Sequence, residues 1–118
     1  MATDAYIGDP FVFQVVYLDN LGAPIAVTSP TITIFYFEPV VGAKVTLVDG
    51  ATMVAANPPD PGRYVYRYVV PGSLTDGTIL GAEMRATDPV TAFVMVTADT
   101  LNLHSHPTDL GLRVRFVR

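Results

Sequence analysis

The chain has 118 residues, half of them hydrophobic and only 15% charged, with a formal net charge of −4 and no cysteine. That length suits one domain burying roughly two thirds of its unfolded surface, while the missing cysteines exclude disulfides and thiolate chemistry. No apolar run approaches the ~20 residues of a membrane helix, so a membrane span is not expected.

In chain order, Met1-Ala2-Thr3-Asp4 has neither a basic nor an apolar leader segment, so no signal peptide is expected. Phe11–Leu18 reads as a first strand, with Phe11, Phe13, Val15 and Tyr17 alternating against Val12, Gln14, Val16 and Leu18. Residues 19–24, Asp-Asn-Leu-Gly-Ala-Pro, are turn chemistry, and Ile25–Val27 reads as a short edge piece. Thr31–Glu38 is rich in Thr, Ile and aromatic residues, which fit a pleated surface and fit a helix badly. Lys44–Val48 and Ala51–Ala55 flank Asp49-Gly50, a dipeptide that predicts a hairpin turn. The prolines at 58, 59 and 61 exclude a central strand or helix over 57–62. Strands then follow at Arg63–Val70, Thr78–Thr87 and Thr91–Ala98, separated by the loop 71–77 and the turn Asp88-Pro89. Any helix is confined to a turn within Ser73–Asp76. Leu112–Val117 closes the chain, alternating Leu112, Val114 and Phe116 with Arg113, Arg115 and Val117.

This spacing of short strands predicts an all-β fold of about seven strands, a β-sandwich or a small barrel. Residues 1–98 form the expected sandwich, and 99–118 a linker followed by a C-terminal arm or strand. Residues 1–109 hold all eleven acidic groups and four basic ones (Lys44, Arg63, Arg67, Arg85), giving 4 − 11 = −7. The last nine residues hold Arg113, Arg115 and Arg118 and no acid, giving +3. An acidic body argues against nucleic-acid binding, which needs a clustered basic surface. A basic arm suits docking on the acidic body of a neighbour, or equally an edge strand with arginines on its wet face. The shortage of charge has two readings of the same kind: other subunits cover the surface, or a sandwich with two apolar inner faces absorbs the excess.

The run Asp60-x-Gly62-x-Tyr64-x-Tyr66 resembles the tyrosine corner that leads into strand F of immunoglobulin-like domains, where the tyrosine hydroxyl bonds to backbone. The wider pattern is similar to the Ig-like modules of tailed-phage virion proteins, nearest to the N-terminal domain of the baseplate upper protein family. It consists of Gly62-Arg63-Tyr64 and a strand, the loop 71–77, and a strand ending Arg85-Ala86-Thr87-Asp88. The resemblance covers about residues 11–98. It implies an immunoglobulin-like antiparallel sandwich with Asp60, Gly62 and Tyr64 as its structural corner. The chain has no cysteine pair and no tryptophan, which excludes an antibody-type domain.

Candidate chemistry is sparse. His104-Ser105-His106 places two imidazoles on one side of an extended chain, a weak metal pattern with only Asp109 near in sequence. Asp60, Asp76, Asp88 and Asp109 sit in turns, where aspartates ordinarily bond their own backbone rather than calcium. Glu38 and Glu83 are the only glutamates, and both fall on predicted strands. A glycosidase pair would need a cleft at a set separation, and the preferred reading is two strand glutamates facing water or pairing with Arg85 or Lys44. Ser29, Ser73 and Ser105 lack a nucleophile-elbow context, and Gly72 and Gly77 do not open a phosphate loop. Tyr64, Tyr66 and Tyr68 read as a core face with hydroxyls at its rim. No cofactor and no enzyme activity is expected.

The leading expectation is a non-enzymatic virion structural protein of a tailed bacteriophage, a capsid decoration (cement) protein and homo-oligomer docked on capsid, neck or baseplate subunits. Leu112, Arg113, Val114, Arg115, Phe116 and Arg118 would bind the partner by adding a strand to an exposed edge. The alternatives are a neck, baseplate or tail subunit, or an Ig-like module binding polysaccharide or protein.

Overall fold

The computed structural model describes residues 2–56 and 62–105. Asp60, His106 and the arm residues Leu112, Arg113, Val114, Arg115, Phe116 and Arg118 lie outside the described residues. The described residues form eight strands: β1 Ala2–Tyr6, β2 Pro10–Val16, β3 Thr28–Phe37, β4 Lys44–Thr52, β5 Val54–Ala55, β6 Arg63–Val69, β7 Ile79–Thr87 and β8 Val94–His104. They form a five-stranded sheet in the order β1-β8-β7-β3-β4 and a three-stranded sheet in the order β2-β6-β5. Every pairing is antiparallel except β1 with β8. The fold is all-β, a two-sheet sandwich, as the turn spacing predicts.

The Gly62-x-Tyr64 segment leads into β6, the middle strand of the small sheet.

The core lies between the sheets. β3 contributes Ile32 and Ile34, β7 contributes Leu80, Ala82, Met84 and Ala86, and β8 contributes Leu101 and Leu103. Phe13, Tyr64 and Tyr68 face them from the small sheet, joined by Tyr17, Met53 and Val70 at the strand ends. The period-two alternation of β2, β6 and β7 therefore has a direct cause: one face of each is withdrawn from water.

Four readings are corrected. Asp49-Gly50 is no hairpin turn, because β4 runs through it and stays paired with β3. Ile32 faces Ala51 and Ile34 faces Val48, so Asp49 and Gly50 of β4 together oppose Thr33 of β3, a β-bulge. Gly50 takes φ 68° there, and its N–H donates to Thr33 Oγ1 at 3.1 Å. Ile25–Val27 is not a strand; it is a connector whose Ile25 N–H donates to the Tyr17 carbonyl. β1 was not foreseen, since Ala and Asp are poor strand formers and only pairing with β8 orders Ala2–Tyr6. β8 does not stop at Ala98. It continues to His104 with Leu101 and Leu103 fully buried, so 99–104 belong to the sandwich and not to a linker.

Candidate functional site

Gly62 and Tyr64 form a junction between the sheets. Gly62 has φ 80°, and its carbonyl accepts from the Tyr17 N–H at 2.9 Å. A side chain there would put Cβ 2.6 Å from the Tyr17 carbonyl oxygen and 2.9 Å from that of Ile25. Only glycine fits, both for its backbone angle and for the space. The Tyr64 hydroxyl accepts from the Val27 N–H at 3.0 Å and lies 3.4 Å from the Val27 carbonyl. This explains tyrosine rather than phenylalanine, but the bond spans 37 residues and ties β6 to the lead-in of β3. A tyrosine corner bonds backbone only a few residues upstream. The neighbouring Tyr17 ring lies 6.1 Å away, and its buried hydroxyl has no hydrogen-bond partner among the described residues. Burial pushes the Tyr17 and Tyr68 phenols up from their ordinary value, with a smaller contribution from the tyrosine beside each.

His104, the first of the two metal candidates, lies at the end of β8 opposite Tyr6. Its Nε2 lies 2.9 Å from Asp4 Oδ1, and the hydrogen bond from His104 holds the Asp4 carboxyl below its ordinary value. The following Ser105 N–H donates to Asp76 Oδ1 at 2.7 Å. His104 thus closes the parallel β1–β8 seam, and no group of three His, Cys, Asp or Glu side chains suited to a metal occurs among the described residues. The turn carboxylate of Asp88 accepts from the Val90 and Thr91 N–H groups of its own turn, which lowers its pKa with the Val90 bond as the main cause.

The two glutamates are kept apart by the large sheet. Glu83 faces Thr33 across β7–β3, and Glu38 lies five residues farther along the β3 chain. That offset is about 17 Å at strand rise, well beyond the separation of about 5–9.5 Å that a glycosidase pair uses. Glu83 Oε1 instead accepts from Arg85 Nε at 3.0 Å. Lys44 places its ammonium 4.4 Å from the Phe35 ring centroid. On that outer face of the large sheet, Phe35 packs edge-on against Phe37, and a Cβ on Gly81 would come within 2.7 Å of the Phe35 ring.

Next to this aromatic pair is a recess of about 1020 Å³, between the turn at 38–40 and the loop at 73–78. Phe35, Phe37, Ile79, Thr75, Asp76 and Thr100 are among its walls. Both sheets also present large apolar groups to solvent. The small sheet carries exposed Val12, Val16, Val54 and Val69, and the large sheet Phe37, Ile79, Val94 and Val96. Two turns repeat one design: Glu38-Pro39-Val40-Val41-Gly42-Ala43 and Asp88-Pro89-Val90-Thr91-Ala92-Phe93. In each, the first N–H donates to the sixth carbonyl and the fifth N–H to the first carbonyl. Both tips are apolar, with Val40 93% and Val90 89% exposed. Sequence reasoning missed these surfaces, although the shared acid-Pro-Val triplet was a usable signal. No protein-family model matches the chain, and no curated protein matches it.

Proposed function

We propose that the chain is a non-enzymatic virion structural protein of a tailed bacteriophage, a capsid decoration (cement) subunit that docks on neighbouring subunits. The observation that carries this reading is the apolar character of the solvent-facing surface. Among the described residues, fifteen large hydrophobic side chains are exposed, as many as the hydrophobic residues that form the core. They occur on both sheet faces and at the turn tips, while the whole chain has only eighteen ionisable Asp, Glu, Lys and Arg groups (7 + 11). Scattered exposed hydrophobics are ordinary, but apolar strand faces on both sides of a sandwich are what a subunit enclosed by neighbours presents. The phage assignment within that class follows the resemblance carried by Gly62-Arg63-Tyr64 and Arg85-Ala86-Thr87-Asp88.

In this reading the basic arm, through Leu112, Val114 and Phe116 with Arg113, Arg115 and Arg118, engages a neighbouring acidic subunit. Deleting residues 110–118 leaves a folded sandwich that no longer enters particles. Truncated protein that assembles at the normal copy number refutes the arm's role. A second reading, a module binding polysaccharide, is favoured by the recess that sets Phe37 beside Thr75, Asp76 and Thr100. Glycan binding by the isolated monomer that is lost on Phe37→Ala distinguishes it from the virion role.

A further inference from the structure

The sandwich has four free sheet edges among the described residues, and three of them are blunted. β1 is five residues long and carries Asp4; β5 has two residues; β4 carries Lys44 and Asp49 and is broken by the bulge at Gly50. Shortness, charge and bulges are the devices by which proteins prevent edge-to-edge pairing. β2 has none of these three, and the one such feature it carries is Pro10 at its first position, which has no N–H to offer the edge. Its seven residues pair with β6 in unbroken register from Pro10↔Val69 to Val16↔Arg63, and Gln14 is its only polar side chain.

We propose that this edge joins two copies of the chain, β2 pairing antiparallel with β2 of a second copy about a twofold axis at Gln14. The proposal deepens the assembly reading above, and rests on it in naming one of the neighbours as another copy.

The register follows from the hydrogen bonding. The Asp9 carbonyl accepts from the Val70 N–H at 3.0 Å and the Tyr17 N–H donates to the Gly62 carbonyl at 2.9 Å, so odd-numbered positions face β6. Alternate residues of an antiparallel strand turn both backbone groups to the same neighbour, which leaves Val12, Gln14 and Val16 facing the free edge. An antiparallel second copy then sets Gln14 opposite Gln14, and Val12 opposite Val16 of the other copy. The outward side chains match themselves: Val12 and Val16, 50% and 39% exposed, form an apolar pair on each side of the axis. Gln14 Oε1 accepts from Arg63 Nη1 at 3.2 Å, and its amide nitrogen still has donors for the other Gln14.

Charge favours this seam over the others. Two chains of net charge −4 repel, and β2 brings no ionised side chain to the contact. The nearest charges on the sheet, Arg63 and Arg67 of β6, have backbones three strand spacings from those of the second copy, about 14 Å, although the Arg63 guanidinium reaches Gln14 Oε1 at 3.2 Å. A seam of this size is smaller than the about 800 Å² per partner of a stable interface. It forms at high local concentration, as within a lattice, so the test must trap it.

The chain has no cysteine of its own, so single cysteines report the register in the full-length protein. Opposed residues at such a pair are about 5.5 Å apart at Cα, within the about 4.4–6.8 Å range of a disulfide. Val12 and its own copy are four residues out of register, about 14 Å. Under mild oxidation at about 1 mM, the Gln14→Cys protein forms disulfide dimers at least ten-fold faster than the Val12→Cys protein alone. A mixture of Val12→Cys and Val16→Cys proteins regains the fast rate. Far-UV circular dichroism verifies that each variant is folded. Equal rates for Gln14→Cys and Val12→Cys indicate random collision and overturn the proposal, as does the absence of a Gln14→Cys dimer. A Gln14→Cys/Arg115→Cys chain that closes on itself in preference to dimerising assigns the edge to the C-terminal segment and overturns it too. Particle entry of the arm deletion is scored separately, so a failed seam and a failed assembly reading give different results.

Discussion

Replacing Gly62 by alanine separates two costs that usually come together. The residue takes φ 80°, where a Cβ costs about 1 kcal/mol through backbone strain alone. The same Cβ would lie 2.6 Å from the Tyr17 carbonyl oxygen and 2.9 Å from the Ile25 carbonyl oxygen, closer than real Cβ atoms come. Both oxygens belong to backbone at a junction fixed by the bonds Tyr17 N–H to Gly62 and Ile25 N–H to Tyr17, so neither can rotate away. Overpacking of this kind costs about 1–3 kcal/mol, and Gly62→Ala is therefore expected to lose about 2–4 kcal/mol in total. That is a large share of the about 5–15 kcal/mol that holds a domain together. Gly22 is the matched control: φ is 86°, and nothing lies within 4 Å of its built Cβ. Gly22→Ala should lose only the backbone part, about 1 kcal/mol. Urea unfolding followed by circular dichroism reads both; at a slope of about 2 kcal/mol/M, Gly62→Ala lowers the midpoint by about 1–2 M and Gly22→Ala by about 0.5 M. Equal losses for the two variants would refute the crowding argument and leave only backbone angle.

Tyr64→Phe removes the tie to Val27 and strands a half-buried N–H, which costs about 1–2 kcal/mol. Tyr17→Phe removes a buried hydroxyl with no partner and is expected to be neutral or stabilising; thermal melts that rank the two the other way would contradict the assigned hydrogen bonds. Leu103→Ala is expected to cost about 2–5 kcal/mol, and a chain stopped after Ala98 should not fold, because 99–104 complete β8 and hold β1. A stable, cooperatively melting 1–98 fragment would restore the shorter boundary. The Asp88 carboxyl is depressed by the Val90 and Thr91 N–H groups. A depressed acid stabilises its turn above its ordinary pKa, about 3.9, and loses that contribution as pH falls through the lower folded value. The Val90 amide resonance should follow that titration and stop doing so in Asp88→Ala; a Val90 signal that does not move down to pH 2 would show that the bond is absent.

Much of the sandwich was legible because its inner faces are encoded locally. Phe11, Phe13, Val15 and Tyr17 alternate, as do Leu80, Ala82, Met84 and Ala86, and period-two burial has no other economical explanation. Prolines and glycines marked where those strands end. The failures share one cause, the dependence of a segment on neighbours distant in the chain. Asp49-Gly50 has hairpin chemistry, yet a bulge uses the same left-handed glycine, and only the pairing of Val48 and Ala51 with β3 separates the two. Ala2–Tyr6 has almost no strand signal and becomes one because β8 lies beside it.

The candidate site divides in the same way. Composition by itself determined that the chain carries little charge, no thiol and few groups for chemistry, and the residue pattern determined that Gly62 and Tyr64 occupy a corner. Tertiary structure alone decided what the tyrosine holds, since a bond across 37 residues has no local signature. It also set His104 beside Asp4, 100 residues away, and left β2, equally well encoded on either face, at a sheet edge. Side-chain pattern records which face of a strand is buried; which of its two edges is paired depends on backbone groups that every residue shares.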